Sequence, residues 1–208
     1  MKGAVRIFVS LVVFGFIFAA GPVMAQPAQA EWTLMFYMDS DNDLESAQME
    51  DLDEMMKVGS SANVNIVVLA DRSPKGAKGE ERQYTNRAVG GLPNWTTAKL
   101  LYVNRGGLRE IADLGEVNMG DPETLRKFVL GVSDAFPAKR YGLVFGNHGD
   151  GWRGIAGDET NKHDSLTAKD LVEAFSAVTP KIGKIELLGF DACLMANFES
   201  AHALAPHG

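Results

Sequence analysis

The strongest constraint on this chain is a regular alternation of two kinds of segment. Five apolar runs rich in β-branched or aromatic residues lie at 32–38 (WTLMFYM), 64–70 (VNIVVLA), 100–104, 141–146 and 184–190 (KIELLGF). Such runs predict strands, and the near-continuous apolar character of the first two and last two predicts burial on both faces, as in a parallel sheet. Between them lie stretches with helical periodicity at 44–58, 122–136, 167–178 and about 194–204. Asp121 ahead of Pro122 reads as a helix N-cap, and Thr167 with Asp170 as a capping box. Strands and helices alternating in this way predict an α/β sandwich with a largely parallel sheet. Residues 72–98 interrupt the pattern with Gly- and charge-rich sequence, read as a surface excursion holding a short strand or hairpin arm at 82–89.

The first thirty residues stand apart. Lys2 and Arg6 precede an uncharged run from Ile7 that ends in small-residue sites at Ala25 and Ala30. This is the pattern of a secretory signal peptide, with the Ala30 site favoured and 31–208 left as the folded domain. Its removal takes away two basic residues and no acids, so the net charge moves from −7 to −9. An acidic chain of this kind disfavours nucleic acid and anionic membrane surfaces and suits basic partners. The expected location is the cell envelope or the exterior, with no stable membrane association once the signal is cleaved. Cys193 is the single cysteine, so no internal disulfide can form, and an odd thiol in an exported protein is either inert and buried or reactive.

In open α/β sheets, ligands collect at the carboxyl ends of strands. Three strands end in unusual chemistry there: the first in Asp39-Ser40-Asp41-Asn42-Asp43, the fourth in Asn147-His148-Gly149, the fifth in Asp191-Ala192-Cys193. In a parallel sheet these tips share one edge, which makes His148 and Cys193 partners. A thiolate attacks a carbonyl while an imidazole serves as base and then as acid. The backbone N–H groups of Gly149 and Cys193 can receive the developing oxyanion. A helix beginning directly after Cys193 would set a positive dipole end near the sulfur.

Asn147-His148-Gly149-x-Gly151-Trp152, followed about 45 residues on by Asp191-Ala192-Cys193-Leu194-Met195, resembles the clostripain family of cysteine peptidases. The segments FYMDSDNDLE and GDETNKHDSLT are similar to that family as well. The resemblance implies a caspase-like three-layer α/β sandwich and endopeptidase activity after Arg or Lys. His148 and Cys193 take the positions of the dyad, Gly149 the oxyanion position, and Asp191 the primary specificity pocket. A carboxylate at Asp191 suits a guanidinium, although Asp191 could instead cap the following helix. Family members continue beyond the Asp-x-Cys helix, so the C-terminal part of the domain is expected to be missing from these 208 residues. The fifth strand is then expected at an unpaired edge.

Asp39, Asp41 and Asp43 alternate as an EF-hand loop begins, but Leu44 stands where a Gly is required, and no calcium cage or other metal set can be read. No cofactor is required for thiol chemistry, and calcium enters only as an implication of the resemblance. Either Asp41 or Asn42 is expected to line the pocket for a basic side chain, or Asn42 or Asp43 to cap the next helix. The polar stretch 153–165 between the dyad residues is a candidate site of self-cleavage, at Lys162. His163, His202 and His207 lack motif context and are read as surface residues. Two other readings compete with a secreted Arg/Lys-specific endopeptidase. One is a non-catalytic protein or inactive fragment that keeps the fold, the other an α/β enzyme using a thiol on a non-peptide acyl group.

Overall fold

Side chains that alternate across β1 (Ala30–Ser40) bury both faces of the strand, and this sets the layers. Met35 and Tyr37 point into one apolar cluster while Phe36 and Met38 point into another. The structure, a computed structural model, describes residues 29–77 and 83–208. The predicted signal segment, apart from Gln29 and Ala30, lies outside the described residues, as does Arg82.

The remaining elements are α1 (Glu45–Val58), β2 (Val64–Arg72), β3 (Ala98–Asn104), β4 (Gly107–Asp113), α2 (Pro122–Ala135), β5 (Ala138–Gly146), β6 (Ile155–Asp158), β7 (Asp164–Leu166), α3 (Ala168–Ile182), β8 (Leu187–Asp191) and α4 (Phe198–Leu204). The main sheet runs β4-β3-β2-β1-β5-β8, and β6 and β7 form a separate antiparallel pair. Strands β2, β1, β5 and β8 are mutually parallel, while β3 and β4 run antiparallel at one end. Helix α1 covers one face through Met49, Leu52 and Met56. Helices α2 and α3 cover the other through Leu125, Phe128, Val129, Leu171, Phe175 and Val178. Each such side chain contributes about 1.5–3 kcal/mol on burial, so the paired faces hold the sandwich together. The expected three-layer α/β architecture with a largely parallel sheet is present. Among the described residues no helix is long and apolar enough to cross a membrane.

The helix caps follow the sequence closely. Asp121 accepts a hydrogen bond from Glu123 N at 2.8 Å, and Thr167 and Asp170 bond reciprocally as a capping box. Other expectations fail for identifiable reasons. Strand β4 is not legible in the sequence, because an edge strand half open to water reads GLREIAD, without an apolar run. The strand or hairpin arm expected at 82–89 is not a strand over its described part, where only Val89 makes an isolated bridge, to Leu92. Side chains anchor that segment instead. Glu45 accepts from Thr85 N at 2.8 Å, and fully buried Arg72 donates to the carbonyl oxygens of Thr85 and Arg87. The last helix begins at Phe198 and not near 194, capped by Asn197, which accepts from Ser200 N at 2.8 Å. Strand β8 ends the sheet order, as expected for an edge.

Candidate active site

The parallel register aligns three strand tips. Met38 of β1 pairs with Gly146 of β5, which pairs in turn with Asp191 of β8. The residues just past β5 are fixed from both sides. Buried Asn147 donates through Nδ2 to Asp39 O at 2.9 Å and to Asp39 Oδ2 at 2.7 Å, and its N–H reaches Asp191 O at 3.3 Å. Its own Oδ1 accepts from His148 N. His148 itself is exposed, and its Nε2 lies 2.6 Å from Asp43 Oδ1. A carboxylate there keeps the ring proton on Nε2 and leaves Nδ1 as the basic nitrogen. Nothing in the sequence around Asp43 marks it as a partner of His148. Its role depends on β1 and β5 being neighbours, which motif spacing does not specify.

Beyond β8 the chain runs without regular structure to α4, with Cys193 exposed. Gly149 packs against this segment so closely that a Cβ on it would lie 2.2 Å from Cys193 O and 2.8 Å from Met195 Cγ. Glycine is therefore required by close approach. Among the described residues neither the Gly149 nor the Cys193 N–H donates to a protein acceptor, so both remain available to a carbonyl oxygen. The expected helix dipole at Cys193 is absent, because α4 starts five residues later. Leu194 instead adopts φ 63°, and Asn197 Nδ2 donates to Leu194 O at 2.8 Å.

The residues expected to bind substrate divide. Asp191 is exposed at the β8 tip and caps no helix, since Asn197 fills that role. Its charge contributes to Asp51 on α1, whose carboxyl is pushed up first by burial and next by Asp191. Neither Asp191 nor Asp51 has a cationic partner among the described residues, so the two form an acidic patch near the β8 tip. Asp41 and Asn42, by contrast, are buried and turned inward, against the expectation that they line a pocket. Asp41 Oδ2 accepts from Thr160 N at 3.0 Å, while Asn42 Nδ2 donates to Asp39 O at 2.9 Å. The alternative start-of-helix role fits Asn42 in part: its Oδ1 accepts from Leu44 N at 2.9 Å, one residue before α1 begins.

Lys162 lies exposed in the β6–β7 turn with φ 65°. The next residue, His163, lines a cleft of about 320 Å³ together with His148, Gly149, Arg153 and Ser165. In the sequence His163 has no motif context and reads as a surface residue. The structure brings it into the same cleft as His148.

A thiol and an imidazole just past adjacent parallel strand tips, with two backbone N–H groups beside them, are the groups that thiol acyl-transfer chemistry employs. The Clostripain family model of C11 peptidases matches residues 36–207, and the chain belongs to that family. It is 32% identical over 190 residues to clostripain from Hathewaya histolytica, covering 84% of this chain and 36% of that protein. Its fold is similar to a secreted C11 cysteine protease from Bacteroides thetaiotaomicron in complex with an irreversible peptide inhibitor, with TM-score 0.67 and 24% identity over 86% of this chain and 47% of that one. It is also similar to an inactive zymogen C11 protease from Parabacteroides distasonis, with TM-score 0.60 and 23% identity over 88% and 47% of the two chains. The chain thus spans about a third of the curated relative and about half of the solved chains.

Proposed function

We propose that this chain carries the catalytic dyad of an exported cysteine endopeptidase that cleaves after Arg or Lys. The observation that carries the reading is the contact of Gly149 with the Cys193 backbone, which joins the β5 and β8 tips into one site. His148 Nδ1 takes the Cys193 Sγ proton, and the sulfur attacks the scissile carbonyl carbon. The carbonyl π pair moves to oxygen, where the Gly149 and Cys193 N–H groups receive it. Collapse of this intermediate expels the amine, which takes the proton from His148, and leaves a thioester. Water then attacks the thioester, giving a proton to His148; the acid is released and the thiol restored. The negative surface at Asp191 and Asp51 supports a guanidinium or ammonium in the first pocket. Protein and peptide substrates with basic residues follow from that chemistry.

The test is covalent labelling with a peptidyl ketone carrying Arg at its reactive end, with an Asp-ended probe as control. Arg-selective modification of Cys193, abolished in His148→Ala, is the expected result. Absence of labelling on folded protein would overturn the reading.

Two further parts of the proposal have their own measurements. Self-cleavage is expected at the Lys162–His163 bond, which adjoins the dyad cleft. Prolonged incubation should give two fragments from the parent chain and none from Cys193→Ala. Export is expected to remove the segment through Ala25. Gln29 Nε2 donates to Ala138 O at 2.8 Å and Ala30 is buried against Ala138, so a cut at Ala30 would remove native contacts. The mass of the exported chain distinguishes the two sites.

A further inference from the structure

His148 opens onto a cleft of about 320 Å³ whose other walls include Gly149, Asp150, Arg153, His163 and Ser165. Asp191 is not among its lining residues. In the reaction proposed above, the departing amine takes its proton from His148. The residues that follow the cut bond therefore leave on the His148 side, and this cleft is what they meet.

The loop that builds the cleft is fixed by its own backbone. Gly149 and Ile155 form an antiparallel bridge, Asp150 N donates to Gly154 O at 2.9 Å, and a Cβ on Gly154 would lie 2.5 Å from Leu166 O. Arg153 is carried on this loop. Its Nη1 donates to Asp150 Oδ1 and Oδ2 at 3.4 and 3.2 Å, and its Cζ lies 5.8 Å from the centre of the Trp152 ring. Among the described residues its Nε and Nη2 donate to no protein acceptor. Those two groups form the edge of a guanidinium that can grip a carboxylate through two parallel hydrogen bonds.

Two more polar side chains of the same cleft, the His163 ring and the Ser165 hydroxyl, also have no hydrogen-bond partner among the described residues. The acids nearby are engaged elsewhere. Asp43 bonds His148 Nε2 at 2.6 Å, and Asp164 accepts from Asn118 Nδ2 at 2.7 Å and from Ser165 N at 3.0 Å. Asp150 holds Arg153 through one nitrogen only, in a pair that is 66% and 60% exposed. An exposed pair of that kind is weak and leaves the guanidinium able to take a second carboxylate.

We propose that Arg153, with His163 and Ser165, forms a subsite for an Asp or Glu side chain within the two residues that follow the cut bond. The subsite presupposes the peptidase reading above and gives its substrate a direction. The acidic patch at Asp191 and Asp51 favours a basic residue before the bond, and the guanidinium favours an acid after it. A peptide of the reversed polarity meets like charge on both sides, which discriminates against it. The bond proposed for self-cleavage has the favoured pattern, Lys162-His163-Asp164.

The test uses the full chain bearing Cys193→Ala, which binds without cutting, and short fluorescein-labelled peptides with one central Arg and an amidated end. Only the two residues after the Arg differ: Ser-Asp, Asp-Ser, Ser-Ser and Ser-Lys. By fluorescence polarisation at low salt, the tighter of the two acidic peptides is expected to bind about tenfold better than Ser-Ser, with the margin shrinking as salt is raised. Arg153→Gln should abolish the margin, and Arg153→Glu should transfer it to Ser-Lys. Both variants should unfold at the parent Tm, because the side chain is two-thirds exposed. Labelling of native Cys193 by the Arg ketone scores the peptidase reading separately, since that probe carries no residue after its reactive carbon. Three results would overturn the subsite alone: equal affinity for acidic and neutral peptides, a margin that survives Arg153→Gln, or no peptide binding by a chain whose Cys193 is labelled. No binding together with no labelling would overturn both readings. A Ser-Ser peptide ending there in a free carboxylate, bound as tightly as the acidic peptides, would assign the subsite to chain ends and overturn the choice of Asp or Glu.

Discussion

His148 stands on a strand tip that is tied down on two sides, whereas the Cys193 tip lies largely open. Asn147 is locked to Asp39 and to Asp191 O, and His148 is bonded to Asp43. Below this arm the Arg72–Glu45 pair is fully buried at 2.6 Å, with Arg72 stacked 4.7 Å from Trp95. On the other arm Cys193 is exposed, and Leu194 and Phe198 are 70% and 77% exposed. Only buried Met195, the contact with Gly149 and the Asn197–Leu194 hydrogen bond hold it. His148 is thus built into the more tightly bonded side of the sandwich, and the Cys193 segment takes its position mainly from Gly149. If the imidazole is the base proposed above, preorganisation of this kind places the cost of positioning it in folding and not in the reaction.

Mutations can break this contrast. The largest effect is expected from Arg72→Ala, which leaves Glu45 buried and unpaired and should cost about 3–5 kcal/mol in chemical denaturation. A cost below 1 kcal/mol would show that the supposed rigid half is not held by this pair. Gly149→Ala should cost about 1–3 kcal/mol, because its Cβ meets Cys193 O and the backbone must shift. It should also abolish labelling of Cys193 by an Arg probe. Retained labelling would mean that the two arms are positioned independently.

Asn147→Ala strips hydrogen bonds from buried Asp39 and should cost about 1–3 kcal/mol. Asp43→Ala is expected to slow labelling on the order of tenfold, short of the 10²–10⁴ that general-base catalysis itself contributes. Its Tm should stay near that of the parent, since both Asp43 and His148 are largely exposed. A fall in Tm with unchanged labelling would reassign Asp43 to structure. Phe198→Ser, on the open arm, should change stability by no more than about 0.5 kcal/mol. A larger loss would show the Cys193 side to be as tightly packed as the other.

Sequence by itself determined the α/β alternation, the Asp121 and Thr167 caps, and the placing of His148 and Cys193 just past neighbouring strand tips. These rest on local chemistry or on the ends of strongly apolar strands, and each is written in contiguous residues. The excursion at 83–98 and the late start of α4 were not legible, because long-range side-chain anchors and a non-helical Cys193 segment override local pattern. The same holds for the site's remaining members. Asp43 became the partner of His148, and Asp41 turned from a surface candidate into a buried carboxylate facing Glu116 and Asp158. Asp41, Glu116 and Asp158 lie in segments far apart in the chain, and only the parallel register of β1 with β2 and β5, with β6 folded across its tip, brings such charges together. Spacing along a chain records what adjacent residues can do; which distant carboxylates must share one small volume is decided by strand order alone.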